Sequence, residues 1–379
     1  MRVGGIVYKK IGTGLLLLFC LFVPIAAEVP PLSSSSAVVM EAESGEVLYE
    51  KDAHTARPMA STTKLMTALL TAETLPLDRE LTVSAAAVAV EGSALGLRAG
   101  DKITVSDLLT GLLLVSGNDA ANAAALSVAD SLPAFSDLMN AKAAALGMHD
   151  SHFVTPSGLD AAGHGASAYD MALLGRAVLQ NDFLRQVCAT KTARVYFGAP
   201  KREVWVSNHN RLLKLYDGCI GMKTGFTKRS GKCLVSAAER NGVTVVAVTL
   251  NGGDYWNDHM KLYAHAFSLL ERVQLPTAQA ASLPAAGGMA DEALLQMPTP
   301  PAVTLHTGEK PTMQVRLPRF LWAPLTAGDE VGSVTYTCGD RVLCTLPVTV
   351  AQDLPARTPL SFWGRMWKYC RAFAAWILK

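Results

Sequence analysis

The chain has 379 residues, 50% of them apolar and 17% charged, enough for one large core or for a catalytic domain with a smaller companion. Lys and Arg total 34 against 32 Asp and Glu, so no strong overall field favours nucleic acid. There is no Cys/His cluster at zinc-ligand spacing and no Gly-rich phosphate loop, and His149 and His152 have no third ligand nearby, so loop contacts are their expected role rather than metal.

Arg2, Lys9 and Lys10 precede the apolar run 14–23, and Pro24-Ile25-Ala26-Ala27 follows it. That basic, apolar, small-residue order predicts an export signal over residues 1–27, with an uncleaved anchor as the alternative. Phe19 before Cys20 argues against a lipid-modified cysteine. The mature protein is expected on the outer face of the plasma membrane or in the cell-wall space. Its six remaining cysteines could pair there. Cys338 and Cys344, which flank Gly339-Asp340, would not face each other across a two-residue hairpin, so a disulfide between them needs a wider loop.

Residues 37–40 and 46–49 read as two strands around the turn Glu43-Ser44-Gly45. A helix is predicted from near Pro58 through Leu70, with proline tolerated in its first turn. Ser106-Asp107 can cap a second helix whose leucines at 108, 109, 112 and 113 share a face. It stops at Ser116-Gly117-Asn118, and alanine-rich sequence then opens a third. Beyond Lys201 the pattern turns β-like at 204–206, 218–223, 232–237 and 243–250, with Asn241-Gly242 as a hairpin signal. His259 to Val273 reads as a closing helix. Two early strands, a helical middle and a late antiparallel set predict a sheet backed by helices plus a helical lobe, over residues 28–274.

Pro, Ala and Gly dominate the next stretch, read as a linker over 275–300. Residues 301–356 then read as a small β domain from the strand patterns at 313–317, 331–336 and 342–346. In 357–379, Phe362, Met366, Tyr369, Phe373, Trp376 and Ile377 share one arc of a helical wheel, and Arg365, Lys368, Arg371 and Lys379 the opposite one. A basic face and an aromatic face without acidic residues suit a helix lying in a lipid interface; it is too charged to span a membrane. The bland alternative is packing on the protein's own surface.

Three short motifs carry the chemistry: Ser61-Thr62-Thr63-Lys64, Ser116-Gly117-Asn118 and Lys223-Thr224-Gly225. Each alone is weak; their order, spacing and flanking elements give them force. A serine hydroxyl needs a base, and an amine can serve only when neutral, which burial and a second cation such as Lys223 promote. Ser61 and Lys64, three apart near a helix start, share a face and sit where backbone N–H groups could stabilise an oxyanion. Ser116 could relay a proton, Asn118 could bind a substrate amide, and Lys223 and Thr224 could dock a carboxylate. Gly225 would let a substrate backbone approach the strand edge. The plain readings are caps, a solvated lysine and a strand end.

With their flanks, these segments resemble the serine D-Ala-D-Ala carboxypeptidases, low-molecular-weight penicillin-binding proteins that trim peptidoglycan stem peptides. The similarity runs over roughly residues 35–355 and includes 58–67, 116–121, 153–159, 163–170 and 217–227. It implies an α/β (α+β) penicillin-binding/β-lactamase-like transpeptidase fold with a small C-terminal all-β domain and an amphipathic membrane helix. It further implies that Ser61 is the acyl-ester nucleophile, Lys64 its proton acceptor and Ser116 the relay. Lys223 and Thr224 would hold the terminal carboxylate, with backbone N–H groups of Ser61 and Phe226 as the oxyanion hole. Asn118 and Gly225 complete the substrate site. Some members carry His where Phe226 stands, which bears on substrate preference more than on catalysis, and His164 reads as structural. The expected partners are stem peptides ending in D-Ala-D-Ala, β-lactam antibiotics and a membrane surface, with no metal or cofactor. A D,D-endopeptidase, a β-lactamase of the same fold and a weakly active wall-binding scaffold are the alternatives; the glutamate segment of class A β-lactamases has no match here.

Overall fold

The computed structural model describes residues 31–358, 363–364, 366–367 and 369–371. The expected export signal, 1–27, lies outside the described residues, as does most of the expected terminal helix, 357–379; residues 357–358 are not helical, and 363–364, 366–367 and 369–371 are.

The central sheet has five antiparallel strands, in the order Val47–Lys51, Ser36–Glu41, Val243–Gly252, Gly231–Arg240, Cys219–Thr227. Alternation along each strand divides it between two cores. Ala37, Val39, Leu234, Val245 and Ala247 pack with Leu262, Tyr263 and Ala266 of the helix Tyr255–Leu269. Val38, Met40, Val235, Val246 and Val248 pack into the larger helical core. A one-residue register slip would exchange the two sets, so both faces fix the pairing. Between sheet and helix, His259 lies 2.5 Å from Ser236 Oγ through Nδ1 and 2.9 Å from Thr249 Oγ1 through Nε2.

The helical lobe is built around Lys64–Thr74, in which every residue from Lys64 to Thr71 is buried. A helix buried all round has no polar face to solvate its lysine. Around it lie Val105–Leu114, Asn118–Val128, Leu132–Ala145 and Ala168–Leu179. Alanines 120, 121 and 123–125 let Asn118–Val128 pack closely against its neighbours. The cap of Val105–Leu114 is Thr104 rather than Ser106: its Oγ1 accepts from Asp107 N at 3.2 Å. Two further strands, Thr192–Gly198 and Lys201–Ser207, form a hairpin in a separate four-stranded sheet, where the sequence showed only 204–206.

Two boundaries differ from expectation. The closing helix ends at Leu269, and Leu270–Gln274 is a strand paired with Ala302–His306. Residues 275–300 are also more than a linker: Ser282–Ala286 and Glu292–Gln296 join a six-stranded sheet with 312–316, 321–322, 330–338 and 341–350. The density of Pro, Ala and Gly masked a two-residue period in which Ala293 and Leu295 are buried while Leu294 is exposed. The Gly339-Asp340 turn sets Cys338 opposite Arg341 and Cys344 opposite Tyr336, and both cysteines are free thiols.

Candidate active site

The Ser61 segment is a 3₁₀ turn, Ala60–Thr63, feeding directly into the helix that begins at Lys64. Ala60 has φ 49°, a left-handed conformation costly for a residue with a Cβ. Neighbours hold it there. Val154 N donates to His164 Nδ1 at 2.9 Å, so His164 Nε2 carries the proton and donates to Thr63 Oγ1 at 3.0 Å. Thr63 Oγ1 in turn donates to Ala60 O at 2.8 Å. Burial holds the His164 pKa down at about 4, keeping this imidazole neutral and structural.

Lys64 Nζ makes three contacts: 2.9 Å to Ser61 Oγ, 2.7 Å to Asn118 Oδ1 and 2.6 Å to the carbonyl of Ser157. Burial drives its pKa well below the ordinary lysine value; Lys223 pushes in the same direction and Asp119 against it. A neutral amine has two N–H donors and one lone pair. Asn118 Nδ2 donates to Glu91 O at 2.7 Å, which fixes Oδ1 as the atom facing Lys64. The Asn118 and Ser157 oxygens can only accept and therefore consume both N–H donors. The lone pair is left for the one partner with a proton to give, the Ser61 hydroxyl.

The second motif follows the helix Val105–Leu114. Ser116 is buried and left-handed at φ 63°, and Asn118 opens the next helix. Asn118 is thus brought to Lys64; Oδ1 accepts from Nζ and one Nδ2 hydrogen goes to Glu91 O, which leaves a second N–H donor on the amide. Ser116 lies two residues away, and its hydroxyl takes none of the three Lys64 hydrogen bonds. Asp119 accepts from the N–H groups of Leu95, Gly96, Leu97 and Ala120 at 2.8–3.0 Å, anchoring the loop beside Asn118.

Lys223, Thr224, Gly225 and Phe226 lie on the Cys219–Thr227 edge strand. Burial lowers the Lys223 pKa to about 7, and Nζ donates to Thr224 O at 3.0 Å. Gly225 abuts the nucleophile turn: a Cβ there would lie 2.9 Å from Met59 O and 3.0 Å from Ser61 N. That contact brings the third motif to the first. Phe226 is 66% exposed.

Sequence reasoning missed the Ser157 carbonyl as an anchor for the base and Asp119 as the anchor of the 95–97 loop. Both lie inside segments it quoted, but a backbone oxygen has no residue-type signature. The three motifs converge by different routes: hydrogen bonds join 61, 64 and 118, packing joins 225 to 61, and Lys223 acts on Lys64 through its charge.

A model of the D-alanyl-D-alanine carboxypeptidase family matches residues 24–254, and one of the penicillin-binding protein 5 C-terminal domain matches 282–356. The chain is 30% identical to D-alanyl-D-alanine carboxypeptidase DacC of Escherichia coli, across 94% of this chain and 95% of that protein. Identity to DacB2 of Mycobacterium tuberculosis is 36%, across 64% and 84%. The crystal structure of DacD from Francisella tularensis superposes with a TM-score of 0.61 at 26% identity, covering 87% of this chain and 95% of that one.

Proposed function

The chain belongs to the D-alanyl-D-alanine carboxypeptidase family, and from that premise we propose that it removes the terminal D-alanine from peptidoglycan stem peptides through an ester on Ser61. The observation that carries this reading is the buried Lys64 amine, its neutral form favoured by burial, 2.9 Å from the Ser61 hydroxyl.

In the proposed cycle Ser61 Oγ attacks the carbonyl carbon of the penultimate D-Ala while its proton passes to Lys64 Nζ. Backbone N–H groups of Ser61 and Phe226 stabilise the oxyanion. The proton then reaches the departing D-Ala nitrogen, with Ser116 as the relay, and the C–N bond breaks. Water hydrolyses the ester by the reverse proton path, regenerating Ser61. Lys223 and Thr224 receive the terminal carboxylate, and the incoming anion raises the Lys223 pKa and keeps that side chain charged. Asn118 holds Lys64 and offers its remaining N–H to the substrate amide, and Gly225 lets the edge strand lie against the Ser61 turn. A β-lactam carbonyl reaches the same hydroxyl and leaves its opened ring attached, which is the basis of covalent penicillin binding.

The substrate lies outside the cytoplasm. The basic and apolar pattern of residues 1–27 supports export. The helical residues Trp363, Met366, Trp367 and Tyr369, 72%, 43%, 65% and 76% exposed, support a tail lying on the membrane surface.

The test is incubation with a soluble peptide ending in D-Ala-D-Ala. The wild type should release D-alanine and Ser61→Ala should not; equal release from both would refute the reading.

A further inference from the structure

The two ends of the C-terminal β domain differ in what they present. At one end, the hairpin between 330–338 and 341–350 turns at Gly339-Asp340 and faces the catalytic domain. There Arg341 lies 3.9 Å from Glu46, and His306 Nε2 lies 2.7 Å from the same carboxylate.

The register places Glu330 opposite Thr349 at the other end of this strand pair, from which the chain departs toward its tail. Three segments meet there. Met289 N donates to Pro355 O at 2.9 Å, Arg357 N to Gly287 O at 2.7 Å, and Ala323 N to Ala286 O at 3.0 Å. Residues 317–320 cross from the edge strand 312–316 to the opposite edge strand 321–322. This end exposes large apolar side chains: Trp322 is 70% exposed, Met289 69% and Phe320 46%. The rings of Phe320 and Trp322 meet edge-to-face at 5.4 Å.

Arg316 and Arg319 precede the aromatic pair in sequence, are exposed, and have no ion-pair partner among the described residues. The carboxylates at this end are partly engaged, and Glu330 is exposed. Asp291 pairs with Arg357 at 2.6 Å, Asp329 accepts from Thr326 N at 2.7 Å, and Asp353 from Ala327 N at 2.8 Å.

We infer that the Arg316–Trp322 crossing and Met289 form a second membrane-contact surface, on the β domain itself, that seats against a phospholipid bilayer beside the departing tail. The inference rests on reading the tail as lipid-associated. Two features of the folded domain support it independently: the aromatic and apolar side chains are solvent-exposed on the end away from the catalytic domain, and Arg316 and Arg319 precede the aromatic pair in the same crossing. Trp and Phe favour the depth of the headgroup boundary, where ring bodies leave water, and arginine stems can lie along apolar surface with their heads among phosphates. Two contacts on one rigid domain would also fix its orientation on the bilayer, since binding at the first raises the effective concentration of the second.

The test uses the full-length protein with phosphatidylglycerol-containing vesicles. Hydrogen exchange is followed by segment, and partitioning is compared for wild type and Phe320→Ser/Trp322→Ser. The expected result is slowed exchange at 286–289 and 316–323 on vesicles. Partitioning of the double variant should be roughly tenfold weaker, with unchanged D-alanine release from a soluble peptide. Vesicle binding without protection of these segments, or with equal partitioning of the variant, would overturn the inference and leave the tail's role standing. Absence of wild-type binding would overturn both.

Discussion

Asn118→Asp tests the base selectively, because it exchanges an amide for a carboxylate of nearly the same shape. Asn118 Oδ1 lies 2.7 Å from Lys64 Nζ, and burial, helped by Lys223, favours the neutral form of Lys64. At that 2.7 Å separation a carboxylate attracts an ammonium by about 6 kcal/mol at an effective dielectric constant near 20. Loss of the hydrogen bond from Asn118 Nδ2 to Glu91 O and local relaxation reduce this. A net rise in the Lys64 pKa of roughly one to three is the usual outcome for a close opposite charge. On the acid side of the pH profile the neutral fraction, and with it Ser61 acylation, should fall about tenfold to a thousandfold and recover as pH is raised. The assay is the rate of labelling by a fluorescent penicillin as a function of pH, with the melting temperature measured alongside. A folded variant whose acid limb coincides with that of the wild type would refute neutral Lys64 as the proton acceptor.

Gly225→Ala places a Cβ 2.9 Å from Met59 O and 3.0 Å from Ser61 N, so the backbone of the turn must shift. Acylation of the folded variant should slow by roughly tenfold to a hundredfold through the misplaced oxyanion donor, with a lowered melting temperature; an unaltered rate would argue against that donor. Lys223 has a pKa of about 7 in the fold against an ordinary value near 10.4. Between these values the unfolded chain binds more protons, so this residue makes stability rise with pH across that window. Lys223→Met should flatten that rise in denaturant titrations, and an unchanged slope would contradict the assigned burial. Since a bound carboxylate raises the Lys223 pKa, the alkaline fall of kcat/KM should lie at lower pH than that of kcat; coincident limbs would argue against Lys223 as the carboxylate's partner. The neutral, buried His164, with a pKa of about 4, contributes stability that is lost as pH falls from about 6.5 toward 4. Acid unfolding of His164→Gln should accordingly be less steep than that of the wild type.

The site was legible in the sequence where chemistry depends on side-chain type. A serine three residues before a lysine at a helix start, a Ser-Gly-Asn between helices and a Lys-Thr-Gly on a strand are each written in residue identities. The strand Val243–Gly252 and the hairpin at Asn241-Gly242 were legible because a turn signal and a β-branched run agreed. Features that depend on backbone atoms or distant packing were not. The Ser157 carbonyl that uses one Lys64 donor, the left-handed Ala60 and the Gly225 contact with Ser61 N appear only once segments far apart in the chain are assembled. The strands at 282–286 and 292–296 were hidden by composition. Proline and alanine suggested a linker, yet Pro284 is tolerated because the neighbouring strand 321–322 pairs only with Ala285 and Ala286, and Ala285 and Ala293 fill narrow core positions. Asn118 shows a third limit: its residue type suggested a substrate contact but gave no sign of the hydrogen bonds to Lys64 and Glu91 that also position the amide.

The most direct measurement is mass spectrometry of the protein after brief exposure to penicillin, followed by peptide mapping, for wild type and Ser61→Ala. The account predicts one adduct per chain on the peptide containing Ser61 and none in the variant. An adduct on another residue, or a wild type that is never acylated, would contradict it.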